Sequence, residues 1–274
     1  ASAILVRFSQ APSGVTAAYR LGWTVLLLLP VVLLRCRAEL RRVTARDLVL
    51  CGASGVLLAL HFLTWFESLK RTSVASSTVL VSTEVIFTAM GFALFLHGKI
   101  PRLGVWAILL AFGGSALLAL SGGGGAGELS GNLLALAAAS AAAVYTLIGR
   151  VQRGHLSTTV YTFLTYLACF LTLLLGTAAA GTPLTGYGGR EWLIGLALAV
   201  LCTLLGHSLF SWCLKYLSPS YVSAAKLCEP VFSSLAAIPL FGEVPGPLQL
   251  AGGAAVLGAV LLYTWAECEK TPAG

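Results

Sequence analysis

Residues 69–101, LKRTSVASSTVLVSTEVIFTAMGFALFLHGKIP, and residues 214–245, LKYLSPSYVSAAKLCEPVFSSLAAIPLFGEVP, are two versions of one segment. At an offset of about 145, Leu69–Lys70 falls on Leu214–Lys215, Glu84–Val85 on Glu229–Pro230 and Phe87 on Phe232. After a one-residue slip, Gly98–Pro101 falls on Gly242–Pro245 and Gly114 on Gly258. The likeness extends outward over 58–120 and 204–265, and both copies are almost wholly apolar. A duplicated apolar helical unit is the sequence mark of a membrane protein built from two related halves, an architecture that suits exposure of one site to alternate sides of a bilayer.

Composition supports the same surroundings. Charged residues are 10% of the 274 and hydrophobic residues 58%, against roughly 25% charged in soluble domains. Mean hydropathy is +0.91. No soluble core hides that much apolar surface, so the solvent is lipid. The net charge of +7 could suggest nucleic acid, but Arg35, Arg37, Arg41, Arg42 and Arg46 crowd one short loop. That placement fits the positive-inside rule and argues against a nucleic-acid partner. The seven cysteines include no C-x-x-C pair and read as small core residues, so neither a metal nor a cofactor is expected.

Nine apolar segments are long enough to cross, at about 13–34, 46–69, 73–96, 102–121, 130–149, 157–180, 191–214, 219–241 and 246–266. The opening ASAILVRF is expected to be the last turns of a helix whose start lies outside this chain. Counting it gives about ten helices, five plus five. The fold class is therefore all-α: a polytopic membrane protein with an inverted repeat. The first repeat is assigned to 1–121, a Gly-rich linker to 122–131, the second repeat to 132–268 and a tail to 269–274. With the start placed in the cytoplasm, inner loops hold eleven Lys and Arg and outer loops four. Five spans per half then thread the second half oppositely to the first.

Ionisable side chains inside spans are costly and mark function. They are Arg20, His61, Glu67, Glu84, His207, Lys226 and Glu229. Glu84 and Glu229 superimpose in the duplication and are expected about midway along their helices. There a carboxylate takes up a proton, holds a cationic group or pairs with a neighbour. Lys226, three residues before Glu229, offers such a pairing. His61 and His207 are nearly equivalent, off by one residue, and serve as proton carriers or as packing groups. Glu67, one turn before Lys70 and Arg71, suggests a salt bridge at the helix end. Arg20 either snorkels outward or anchors an anion. Trp65 shares a helix with His61, and Trp212 with His207. Tyr145 belongs to the same aromatic set. Candidate substrate-binding residues are thus Glu84, Glu229, His61, His207, Trp65, Arg20 and Tyr145, with no catalytic group and no metal ligand.

STEVIFTAMGFALFLHGKIP (82–101) and CEPVFSSLAAIPLFGEVP (228–245) each resemble the EamA-domain signature, which occurs twice in ten-helix members of the drug/metabolite transporter superfamily. Glu229-Pro230, Gly242-Glu243 and the glycines Gly252, Gly253 and Gly258 match the second copy. VTAAYRLGW (15–23) resembles the family's second helix with its arginine at Arg20. In the first copy Val85 stands for the proline and His97-Gly98-Lys99 for the Gly-Glu step, so a straighter helix is expected around Glu84. The resemblance implies a secondary transporter in the cell membrane that moves a small organic metabolite, an amino acid or related compound, outward by alternating access. Proton coupling or exchange would follow from the carboxylate pair. A lipid or lipid-linked sugar translocase and a membrane subunit without transport are the alternatives. An enzyme is not expected, since no acidic metal cluster or nucleophile–base pair is present. Expected partners are the substrate, the bilayer and protons, with monomer and homodimer both open.

Overall fold

The computed structural model describes residues 2–95, 102–121, 126–217, 219, 222 and 228–268. In chain order the helices are α1 (Ser2–Phe8), α2 (Ser13–Arg35), α3 (Arg37–Leu40), α4 (Ala45–Arg71), α5 (Val74–Val81), α6 (Glu84–Phe95), α7 (Arg102–Ser121), α8 (Ala126–Gln152), α9 (Thr158–Ala179) and α10 (Gly189–Ala197). A π-helical segment (Leu198–His207) follows, then α11 (Ser208–Cys213), α12 (Cys228–Phe241) and α13 (Pro247–Cys268). Among the described residues, seven helical stretches are long and apolar enough to cross a membrane, and Arg102–Ser115 and Phe232–Phe241 are shorter apolar helices. Over the described residues, each apolar segment read from the sequence is largely helical. The chain is an all-α, multi-pass membrane protein.

The boundaries have local causes. Thr44 and Asp47 cap α4 reciprocally: Asp47 N–H donates to Thr44 Oγ1 at 3.2 Å, and Thr44 N–H donates to Asp47 Oδ2 at 3.0 Å. Ser157 caps α9, its hydroxyl accepting from Val160 N–H at 3.2 Å. Gly242 ends α12 at φ +67, a conformation that costs glycine nothing.

The helix around Glu84 departs from expectation. It was expected to be straighter than its repeat equivalent, since Val85 replaces proline. Glu84 does lie midway in the span Val74–Phe95, but the helix is interrupted just before it, at Ser82–Thr83. Hydroxyls do what proline would have done. Thr78 Oγ1 donates to Val74 O at 2.7 Å, Ser82 Oγ to Thr78 O at 2.8 Å and Thr83 Oγ1 to Leu80 O at 2.7 Å. Ile86 N–H then closes a tight turn on Thr83 O at 2.9 Å. Consecutive back-bonded hydroxyls compete with the helical ladder and bend it.

Two compact units emerge, 1–66 with 144–217 and 67–143 with 218–274. Each draws on both sequence halves. In the first unit the most extensive pairing is α2 along α9, and in the second it is α7 along α13. These partners are 145 residues apart, so each helix packs on its own repeat equivalent. Small residues make this possible in lipid. A Cβ on Gly114 would meet Ala255 Cβ, Gly252 O and Val256 N at 2.9 Å, so α7 and α13 touch backbone to backbone there.

Candidate functional site

In the first unit, Gly195 sets the position of the arginine. A Cβ at Gly195 would stand 2.6 Å from Tyr19 Cβ and 3.5 Å from Arg20 N, so α10 closes directly onto α2. Tyr19 stacks on Trp192 with ring centroids 4.2 Å apart. Arg20, completely buried, is thereby brought to the π-helical segment. Its Nε donates to Thr203 Oγ1 at 2.7 Å and its Nη1 to Ser2 Oγ at 3.2 Å. Its guanidinium carbon lies 4.2 Å from the centre of the Phe62 ring, a cation–π contact that is strong away from water. Arg20 is therefore an interior group, and the snorkelling alternative is excluded.

Around Phe62 the α4 side chains form a continuous wall. The His61 ring lies 5.2 Å from Phe62 and 5.7 Å from Trp65, and Phe66 lies 5.6 Å from Phe62. The His207 ring meets this wall from the end of the π segment, 5.6 Å from Phe62 and 6.5 Å from His61. Tyr145 reaches the same point, its ring 6.4 Å from His207 and its hydroxyl 3.2 Å from Ser211 Oγ. Five of the seven sequence candidates, Arg20, His61, Trp65, Tyr145 and His207, thus share one cluster. Trp65 is buried, and its indole N–H has no hydrogen-bond partner among the described residues.

The unit's carboxylates serve elsewhere. Glu39 accepts from Ser157 N–H at 2.6 Å. Asp47 accepts from Thr44 and from Gln152 Nε2 at 3.2 Å, with His155 Nε2 at 2.7 Å. Glu191 accepts from Ser9 Oγ at 2.6 Å and Gln10 N–H at 3.1 Å. The cluster's chemistry is donor-rich: a guanidinium, an indole N–H, two imidazoles and hydroxyls. It suits an acceptor oxygen and can pass a proton.

Glu84 and Glu229 belong to the second unit. Glu84 is buried at the start of α6, just ahead of Val85, which packs with Ala107 and Val260, and Ile86, which packs with Ala111 and Ala259. Glu229 lies on α12. Glu84 follows the turn at Ser82–Thr83, whose carbonyls accept from the N–H groups of Val85, Ile86 and Phe87. Lys226, and with it the expected Lys226–Glu229 pair, lies outside the described residues, as do Gly98–Pro101 and the linker glycines 122–125. Glu67 forms the anticipated salt bridge, 2.8 Å to Arg71.

The Gly242-Glu243 step has a structural role. Glu243 Oε2 accepts from Val74 N–H at 2.7 Å, capping the first turn of α5. Sequence reasoning missed Thr203 and Ser211, single hydroxyls in apolar runs with no signal of their own. It also missed the π segment, which no proline or unusual residue announces.

The EamA-like transporter family matches residues 2–120 and again 129–265. The pseudopaline exporter CntI of Pseudomonas aeruginosa is 24% identical over 207 residues, 76% of this chain and 72% of its own length. A probable terminal-alkyne amino-acid exporter of Streptantibioticus cattleyicolor is 27% identical over 233 residues, covering 81% and 75%. One solved crystal structure, 18% identical, covers 98% of this chain and 96% of its own with a TM-score of 0.67, a likeness of fold.

Proposed function

Because the chain belongs to the EamA-like transporter family, we propose that it exports a small organic metabolite, an amino acid or a related compound, across the cell membrane by alternating access. The observation that carries this reading is the cluster of Arg20, His61, Trp65, Tyr145 and His207. Placing a guanidinium and two imidazoles within apolar spans is costly, and such groups persist where they handle a substrate. Two relatives named as exporters, one of them of an amino acid, support the direction and the substrate class.

In this mechanism the first unit's donors bind acceptor oxygens of the substrate, and its aromatic rings bind the apolar part. Within the second unit, Glu84 and Glu229 bind either a proton or a cationic group. One carboxylate cannot hold both at once, so proton and substrate displace each other and their movements are exchanged. Rocking of the two oppositely threaded halves would present the site to each side in turn.

The test is a metabolite panel screened for thermal stabilisation of the purified protein at two pH values, followed by flux in proteoliposomes. A ligand at a hundred times its Kd adds about 2.7 kcal/mol of stability. The expected result is a hit among amino acids that drives pH-dependent counterflow. Replacing Glu84 and Glu229 with Gln should abolish the pH dependence. Wild-type, pH-independent flux in that double variant would end the coupling idea, and absence of any flux would end the transporter reading.

A further inference from the structure

Several hydroxyls on the helices of the second unit bond back to the preceding turn. Thr78, Ser82, Ser115 and Thr264 each donate to the carbonyl four residues earlier, at 2.7 to 2.8 Å. This is the ordinary solution for a hydroxyl in lipid, where an unmade hydrogen bond costs about 1–3 kcal/mol. Others bond to neighbouring side chains, as Ser68 with Ser77 and Thr72 with Asn132; two buried hydroxyls of the unit are exceptions to both solutions. Thr88 Oγ1 and Ser233 Oγ are buried and have no hydrogen-bond partner among the described residues, with residue exposures of 0% and 1%.

The two exceptions are repeat equivalents, 145 residues apart. Thr88 follows Glu84 by four residues on α6, and Ser233 follows Glu229 by four residues on α12. Residues four apart share a helix face. The duplication has therefore kept, twice, a carboxylate with an unsatisfied hydroxyl one turn further along. Packing gives no reason to keep either hydroxyl, since valine or alanine would fill the same space without the penalty. A ligand with hydrogen-bond donors does give a reason.

We propose that Glu84 with Thr88, and Glu229 with Ser233, are two equivalent subsites for a primary ammonium group of the transported substrate. An ammonium carries three donors and one positive charge. The carboxylate supplies the counter-charge, and the hydroxyl oxygen accepts a second N–H. A proton on the carboxylate satisfies the charge but leaves the hydroxyl without a partner, so the hydroxyl separates ammonium from proton at one carboxylate. This assignment rests on the exporter reading and adds the charged group that the second unit selects.

The experiment compares wild type with Thr88→Val, Ser233→Ala and the double variant in proteoliposomes. Uptake of each of the twenty L-amino acids is measured, with the matching acid that lacks the amine as competitor. For substrates that wild type carries, the double variant should raise KM about tenfold, the scale of one hydrogen bond to a charged group. Inhibition by the amine-free acids should be unchanged. Thr88→Ser and Ser233→Thr, which keep the hydroxyl, should restore KM. Melting temperatures should hold or rise, because no protein hydrogen bond is lost. An unchanged KM, an equal loss for amine-bearing and amine-free compounds, or a lower melting temperature with normal KM would overturn the subsites while leaving the exporter reading intact. Wild type that carries no amino acid would overturn the reading and the subsites together.

Discussion

Helix α4 and the stretch α10–π–α11 descend from one segment, and they have become different objects. α4 runs from Ala45 to Arg71 as an unbroken α-helix. Its counterpart is three pieces over Gly189–Cys213, the middle ten residues π-helical. Each carries one histidine of the cluster, and their positions differ by one residue in the alignment. The two imidazoles are thus neighbours, not images: His61 lies in a regular turn, and His207 closes the π segment. That segment has a visible anchor. Thr203 Oγ1 donates to Leu198 O, five residues back, at 3.3 Å, while accepting from Arg20. A duplicated sequence preserved the composition of the site, and local hydrogen bonding made its two sides unequal, a pattern associated with functional π-bulges.

Removing the anchor should have the largest effect. Arg20→Ala deletes a buried cation–π contact and two hydrogen bonds, and should cost about 2–4 kcal/mol. Thermal unfolding in detergent measures it, and a loss below about 1 kcal/mol would deny the arginine its structural part. Asymmetry between the repeats can be tested next at Gly114 and Gly258. Gly114→Ala places a methyl 2.9 Å from the backbone of α13, whereas a Cβ at Gly258 meets nothing within 4 Å. The first should cost about 1–3 kcal/mol through overpacking. The second should be neutral, and equal costs would mean that the two repeats pack alike. Thr203→Val should cost about 1 kcal/mol and speed hydrogen exchange of the 203–208 amides, while those of α4 stay unchanged. Equal acceleration in both helices would show that the π segment has no separate support. Glu67→Gln should change stability by less than about 0.5 kcal/mol, since its exposed i,i+4 bond with Arg71 is screened. A larger loss would give the end of α4 a role that its counterpart lacks.

Much of this was legible in the chain. Spans showed because lipid demands long apolar helices, and the repeat showed because offset identities survive at Glu84, Glu229 and Gly114. The rarity of ionisable groups in spans pointed to Arg20, His61 and His207. Other features were hidden for definite reasons. Val85 in place of proline suggested a straighter helix, yet Thr78, Ser82 and Thr83 broke it by side-chain hydrogen bonds whose choice of acceptor depends on the turn already formed. Thr88 and Ser233 read as ordinary helix residues, because only coordinates reveal which hydroxyls have no acceptor.

Composition, periodicity and offset identities by themselves determined that this is an all-helical, membrane-spanning, twice-repeated chain, because those properties follow from transfer free energies and local pattern; the EamA likeness rested on the motifs around Glu84 and Glu229. Tertiary structure alone decided that Arg20, Phe62, His61, His207 and Tyr145 meet, that each repeat helix lies against its own equivalent, and that one copy of α4 became π-helical. Those outcomes depend on contacts between residues 40 to 190 apart in sequence, such as Arg20 with Thr203 and Gly195 against Tyr19. No local preference encodes them.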